Sequence, residues 1–398
     1  LEGGRFEEPD KKLGLTTLWG NCVTYSGSKL YPREKLSAQL ENHASNFNFS
    51  AGLERSLFSL SALTPYFQKD FTTTWDVLNH PRFFAEDCSL LKKQLTESIQ
   101  ERDKNPGRLA FLIRKLQFWK GSVRARLYTK KTLENITSQD FLAWHKKNFQ
   151  AARMSIAVAG NFQVENIVKL LNQTYGKMKW DSSTYPDKTP LEKNPANPKQ
   201  KAFFYAKQIP QTSILFFAKG IPHAHKDYIP LKVFDYLLGG SSFQSFLMQD
   251  IRVKRGWAYS VYSFYTAGSR FGSLGIFGQT ANQNVPSYTK RVEQILQESP
   301  TLFDEKKLNE AKTSIKNKFV FLYKTPAEYL WLYLSLKWEK MPPDYLQTFV
   351  ENVEKVKLKE IQEIARKYYH PERFSKVFVG PKKSLPENTK LIPVQIPK

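Results

Sequence analysis

Two residues in one stretch of this chain are of types suited to donating hydrogen bonds to a reacting carbonyl oxygen. Arg252 and Tyr259 stand seven residues apart within LLGGSSFQSFLMQDIRVKRGWAYSV, which runs from Leu237 to Val261. A guanidinium and a phenol both donate hydrogen bonds, and both suit an oxygen that gains negative charge during reaction. Taken alone, the pair is better read as structural, Arg252 pairing with a nearby acid such as Asp250 and Tyr259 being a strand aromatic; the surrounding Gly-Gly and Arg-Gly-x-Ala-Tyr context is what favours the functional reading. Metal chemistry finds less support. His223 and His225 (PHAHKD) form a close pair, but in a polar stretch that reads as a solvent-facing loop. His43, His80, His145 and His370 each stand alone, where a structural role is the simpler account. Two cysteines, Cys22 and Cys88, are too few for a disulfide framework or a cysteine-rich metal site.

The elements that must position Arg252 and Tyr259 follow from periodicity. Val233, Phe234, Leu237 and Leu238 make a helical stripe closed by Gly239-Gly240. A second helix, about 242–255, presents Phe243, Phe246, Leu247 and Ile251 and ends at Arg252, with Gly256 permitting the turn. Strands follow around 258–265 and 273–279, and Tyr259 opens the first of them. Upstream, 213–217 reads as a strand. Nearer the start, Pro32 opens a helix carrying Leu36, Leu40 and Ala44, and 56–63 reads as a strand.

A proline-bearing stretch with little periodicity, residues 181–201, divides the chain into halves that repeat. ITSQDFLAWHKKNFQAARMSIAVAG (Ile136–Gly160) lies on Val356–Gly380 at a constant offset of 220. Asp140 then meets Glu360, Lys147 meets Lys367, Arg153 meets Arg373, and Pro106 meets Pro326. The shared unit is an amphipathic helix, a short turn and a strand, the last carrying Met154, Ile156 and Val158 in the first copy. The expectation is an α+β fold of two tandem homologous domains, 1–180 and 202–398, joined by 181–201. Each would be a mixed or antiparallel sheet backed by helices.

With the Gly-rich helix end, the Arg-x-x-x-Gly-x-x-Tyr pattern, the "NP" after a long helix and the opening GGRFEEPDKKLGLTTLWGNCVTYSG (Gly3–Gly27), nearly the whole chain resembles the pitrilysin/insulinase family of metallopeptidases. This family includes mitochondrial processing peptidase. The resemblance implies paired α+β domains, two such pairs closing around a peptide chamber. Active members carry H-x-x-E-H on the first helix, where histidines at i and i+4 share a face and the Glu serves the metal-bound water as base. Laid on Gly14–Asn21, that signature puts Thr17 and Asn21 at the histidines and Gly20 at the base, and the third ligand falls on Ser98. Glu97 is one residue off, a rotation of about 100° on a helix. These four residue types form no hydroxide-generating zinc site. By the same resemblance, Arg252 and Tyr259 match the pair that reaches the zinc site and hydrogen-bonds the scissile peptide. Asn46, Phe47, Asn48, Phe49, Ser50 and Ala51 match the edge strand to which substrate adds in extended form, unless a neighbour or partner covers it. Family members usually place a strand and its turn ahead of the segment that begins at Leu1, so the sequence is expected to be partial, with any signal peptide in the missing part.

Composition narrows the function classes. Of 398 residues, 41% are apolar and 14% aromatic, which excludes a disordered chain, and no run of 18 apolar residues exists. The net charge of +23 invites nucleic acid or an anionic surface. Lys and Arg are dispersed in pairs, however, with no zinc-finger spacing, RNP strand or basic zipper, so a solvated surface is expected and no nucleic acid. The excess could also coat a peptide chamber and favour acidic or extended substrates. The combined expectation is a non-catalytic, substrate-binding subunit with no cofactor of its own. It would complete the site of an H-x-x-E-H partner that holds the zinc, in a heterodimer acting on peptides. Alternatives are a structural core-type subunit without proteolytic role, or a basic scaffold binding anionic surfaces, membranes included. The resemblance favours a bacterial periplasm or cell envelope, with the mitochondrial matrix as alternative.

Overall fold

The computed structural model describes residues 1–184, 195–196, 198–387 and 389–397. Its principal elements run, in chain order, α1 Leu15–Ser26, α2 Arg33–Asn42, β1 Asn46–Ala51, β2 Ser56–Ser61, α3 Ala85–Lys104, α4 Pro106–Phe118, α5 Ser138–Asn148, β3 Ala202–Ala206, β4 Gln211–Gly220, α6 Tyr228–Asp235, α7 Met248–Lys254, β5 Ala258–Ala267, β6 Gly272–Ala281, α8 Pro326–Trp338, α9 Leu358–Tyr368, β7 Ser375–Gly380 and β8 Leu391–Pro393. Two compact units result. One holds Leu1–Arg102, Arg126–Lys193 and Pro397–Lys398; the other holds Asp103–Ala125 and Asn194–Ile396. The stretch 181–201 lies largely outside the described residues.

In the first unit α1 buries Leu15, Leu18, Trp19, Cys22 and Val23, the stripe expected of a core-facing helix. Its start is held by Glu8, whose carboxylate accepts from the amides of Gly14 (3.0 Å) and Thr16 (2.8 Å), two of the donors that a helix N-terminus leaves unpaired. Burial raises the Glu8 carboxyl, and these hydrogen bonds partly offset it. Trp19 packs edge-on against Phe49 and Phe58 of the β1–β2 hairpin and donates its indole N–H to His145 Nδ1 at 3.3 Å. Burial pushes His145 down to about 4, so this lone histidine is a neutral core acceptor. A disulfide joins Cys22 of α1 to Cys88 of α3, Cα atoms 5.3 Å apart. Two cysteines set aside as too few for a framework therefore form one long-range cross-link.

The second unit is a six-stranded mixed sheet, ordered β5-β6-β4-β7-β3-β8. β4 runs antiparallel to β6 and β7, while β3 lies parallel to β7 and β8. One face packs on α6, α7 and α9 through Ile214, Phe216, Phe234, Leu238, Ile251 and Ile361. The other is covered by α4, whose Leu109, Ala110, Ile113 and Phe118 meet Phe203, Leu215, Phe217 and Val377.

The repeat appears at its predicted spacing. α4 and α8 cover equivalent residues, as do α5 and α9. One copy departs: 154–158 forms no strand, whereas its counterpart β7 does. β7 has β3 on one side and β4 on the other, each supplying backbone partners. In the first unit Glu2 donates to the Arg153 carbonyl (2.7 Å) while Leu1–Gly3 pair with residues 54–56, and no strand among the described residues pairs with 154–158. An extended segment without neighbours has no ladder to join. The strand expected over 56–63 ends at Ser61. Among the described residues no helix is long and apolar enough to cross a membrane.

Candidate functional site

The residues at the expected metal positions are placed by packing. Thr17 and Asn21 are half-buried one turn apart on α1, with Gly20 buried beside them. A Cβ at Gly20 would overlap the ring of Phe49 from β1, so glycine is required there by close approach. The Phe49 ring is itself wedged between Trp19 (5.6 Å) and Phe58 (4.7 Å). The space in which a base would project is filled as well as stripped of its carboxylate. Ser98 is exposed on α3 and donates to the carbonyl of Leu95 in its own helix (2.6 Å). Among the described residues no three His, Cys, Asp or Glu side chains are grouped to hold a metal. A hydroxyl, an amide and a glycine do not fit zinc.

β1, the expected peptide-binding edge, alternates as a strand should. Asn46, Asn48 and Ser50 are exposed, whereas Phe47, Phe49 and Ala51 turn inward. It pairs with β2, Asn46 opposite Ser61 and Ala51 opposite Ser56, and with no second strand among the described residues.

Arg252 and Tyr259 are brought together in the second unit. The helical stripe runs to Gly240, its last turn widened to a π-turn at Tyr236–Gly240. Gly239 lies so close to β5 that a Cβ would overlap the backbone of Ser263. The helix expected over 242–255 is not continuous: a short 3₁₀ turn at Ser242–Gln244 precedes α7, whose turns are π-helical. Gly256, at φ +64°, closes α7 by donating to the Arg252 carbonyl (2.9 Å), inside a wider bond from Trp257 N–H to the Ile251 carbonyl (3.1 Å). This nested pair resembles the usual glycine-terminated helix end, one residue wider as a π-turn demands. The chain then enters β5, the edge strand of the sheet, through a register shift between Ala258 and Val261 that leaves Tyr259 80% exposed.

The Arg252 guanidinium lies between two rings, 4.7 Å from Tyr259 and 4.9 Å from the exposed Phe243. The competing reading assigned it to Asp250. Asp250 instead accepts from Arg291 (2.9 Å) and Arg255 (3.1 Å). Burial alone would raise the Asp250 carboxyl, and these two arginines outweigh it and hold it below the usual range. Arg252 therefore has no acidic partner among the described residues, and its N–H groups stay available. In the same unit, Asp235 at the end of α6 accepts from the Tyr369 hydroxyl (3.0 Å), and burial pushes its carboxyl up to about 6.

The histidine pair needs a correction. The His223 side chain is only 6% exposed, not solvent-facing, because its backbone N–H bonds the Gly268 carbonyl (3.1 Å) and its ring packs near Tyr228 and 3.8 Å from the Glu339 carboxylate. Phe243 as a second ring on Arg252, Phe49 over Gly20 and the Cys22–Cys88 bridge were all missed. None had a local signal: Phe243 lies nine residues before Arg252, which on a regular α-helix is the opposite side, and the 3₁₀ and π turns between them bring the two together.

These features define a class: a metallopeptidase-like chain of two related α+β units, with no metal-binding group of side chains among the described residues and with Arg252 packed on the exposed Tyr259 in the second unit. Residues 1–132 match the family described as insulinase (peptidase family M16), and 135–315 match the peptidase M16 inactive domain. The chain belongs to peptidase family M16, as two tandem M16 domains. It is 24% identical to a Helicobacter pylori protein named non-peptidase homolog YmxG, over 92% of this chain and 84% of that one. It is also 21% identical to the mitochondrial-processing peptidase subunit beta of Blastocladiella emersonii, over 93% and 80%. In fold it resembles a peptidase M16 inactive domain from Pseudomonas fluorescens (TM-score 0.82, 22% identity, 95% of this chain and 91% of that one). A protease from Helicobacter pylori is similar too (TM-score 0.84, 15% identity, 96% and 92%).

Proposed function

We propose that the chain is the non-catalytic, substrate-binding subunit of a two-chain zinc peptidase, in which Arg252 and Tyr259 serve the site of an H-x-x-E-H partner. The observation that carries this reading is the guanidinium of Arg252, stacked between Phe243 and Tyr259 while its sequence-adjacent acid is taken by other arginines. A cation kept clear of carboxylates and stiffened by two rings is preorganised to meet an oxygen that becomes anionic. The exposed edge of β1 supports a role in holding extended peptide, because strand addition needs only free backbone groups. The relative named a non-peptidase homolog agrees with a chain that supplies no metal. Zinc belongs, on this proposal, to the partner.

Co-purification followed by metal analysis tests the assignment. The chain alone is expected to be metal-free and inactive, and the complex to hold one zinc per partner subunit and to hydrolyse peptides. Stoichiometric zinc in the isolated chain, or a complex without peptidase activity, contradicts it; the latter result favours a structural subunit of the same fold.

A further inference from the structure

We infer that the Cys22–Cys88 disulfide replaces the metal as the cross-link between α1 and α3, and that the chain matures where a disulfide donor is present. The misfit of the metal positions is the starting point. Of the three positions that would have gripped one ion, Thr17 and Asn21 lie on α1, with the base position Gly20 between them, and Ser98 lies on α3. A zinc bound there would tie these two helices together, and these residue types cannot do so. Cys22 immediately follows Asn21 on α1, and Cys88 stands in the first turn of α3. Both are buried, at 0% and 4% exposure, and their Cα atoms are 5.3 Å apart, within the span that a disulfide bridges.

The surroundings serve the same junction. Ser26, at the end of α1, donates to Asp87 Oδ2 (3.1 Å), and Arg33 of α2 reaches Asp87 Oδ1 (3.2 Å). Asp87 precedes Cys88, so a polar link and a covalent one fasten adjacent residues. The bridge closes 66 residues of sequence that include α2, β1 and β2, a separation at which a cross-link restricts the unfolded chain strongly. The chain has two cysteines, and this pairing uses both.

Formation is a two-electron oxidation. The Cys22 and Cys88 thiols give up two protons and two electrons to a disulfide-bearing oxidant. Its S–S bond breaks to give two thiols as the Cys22–Cys88 bond forms. Such donors and the persistence of the product belong to oxidising compartments, not to a glutathione-buffered cytosol. The inference does not depend on the peptidase-subunit reading and stands if that reading fails.

The test combines thiol trapping with melting. Chain taken from its cells into acid, then denatured and alkylated, is expected to carry no alkylated cysteine before reduction and two after it. Reductant should lower the melting temperature of the wild-type first unit by about 10 °C. The Cys22→Ala/Cys88→Ala variant should melt at the lowered temperature and ignore reductant, and added zinc should restore neither protein. If the variant fails to fold, titration of the wild type with reductant gives the same reading. Two alkylated cysteines before reduction, or a reduced wild type that melts unchanged, overturns the inference.

Discussion

The positions expected, from the family resemblance, to hold the metal and the Arg–Tyr pair are packed in opposite ways in this chain. At the metal positions on α1, packing has closed in. The Phe49 ring covers Gly20, Trp19 is fully buried, and a disulfide sits one residue beyond Asn21. At α7 and β5 the side chains face outward, with Phe243 62% and Tyr259 80% exposed and Arg252 between them. Burying a ring over a helix stabilises the fold, whereas holding two rings and a cation in water does not. The first region is now explained by stability alone. The second is not, and that difference carries the functional proposal.

If the comparison is right, substitutions in the first region change stability and those in the second change activity. The largest stability effects belong to the plug: Phe49→Ala and Gly20→Ala should each cost about 3 kcal/mol in denaturant unfolding, the one by a cavity and the other by overlap. Values under 1 kcal/mol would show that the ring is loosely seated. Reinstating the signature with Thr17→His, Gly20→Glu and Asn21→His together should leave the purified protein without stoichiometric zinc, because Ser98 still supplies no third ligand and a side chain at position 20 overlaps the Phe49 ring that packs on α1. Metal analysis showing one zinc per chain would break the comparison.

In the second unit, the buried Asp235 carries a pH signature. Asp235 titrates at about 6 in the folded chain, above the usual carboxylate value near 4. The native state therefore binds more protons than the unfolded one between pH 4 and 6, and stability from this residue falls as pH rises through that window. Asp235→Asn keeps the oxygen that accepts from Tyr369 and should raise stability at pH 7 by roughly 1–2 kcal/mol, with no gain below about pH 4. Denaturant midpoints across pH 4 to 8 check this. The smallest expected effect is on stability at the pair itself: Arg252→Ala and Tyr259→Phe should each stay within about 0.5 kcal/mol of wild type, since Tyr259 is exposed and Arg252 has no carboxylate partner to lose.

Much of the framework was legible because it is local or repeated. The 220-residue offset located α4 against α8 and α5 against α9, since amphipathic spacing and a Pro at the first helical position repeat with it. The turn at Gly256 followed from its type, and it does adopt positive φ. What stayed hidden depends on partners far away in sequence. Met154, Ile156 and Val158 carry a strand pattern, but a strand needs neighbours, and the pattern is silent about them. Phe49 over Gly20 and Cys22 beside Cys88 are tertiary meetings across 29 and 66 residues. Similarly, α8 has the capping box and leading Pro of a good helix, yet leaves Tyr329, Trp331 and Tyr333 exposed, whereas its copy α4 buries Leu109 and Ile113 completely. Propensity makes the helix; only the sheet face beneath α4 makes it a core element.

The most direct test of the central claim is turnover by the reconstituted complex. With the H-x-x-E-H partner held at saturating concentration, Arg252→Ala and Tyr259→Phe should each lower kcat on the order of 10²-fold while leaving complex formation intact. A complex carrying both substitutions that cleaves peptide at the wild-type rate would contradict the account.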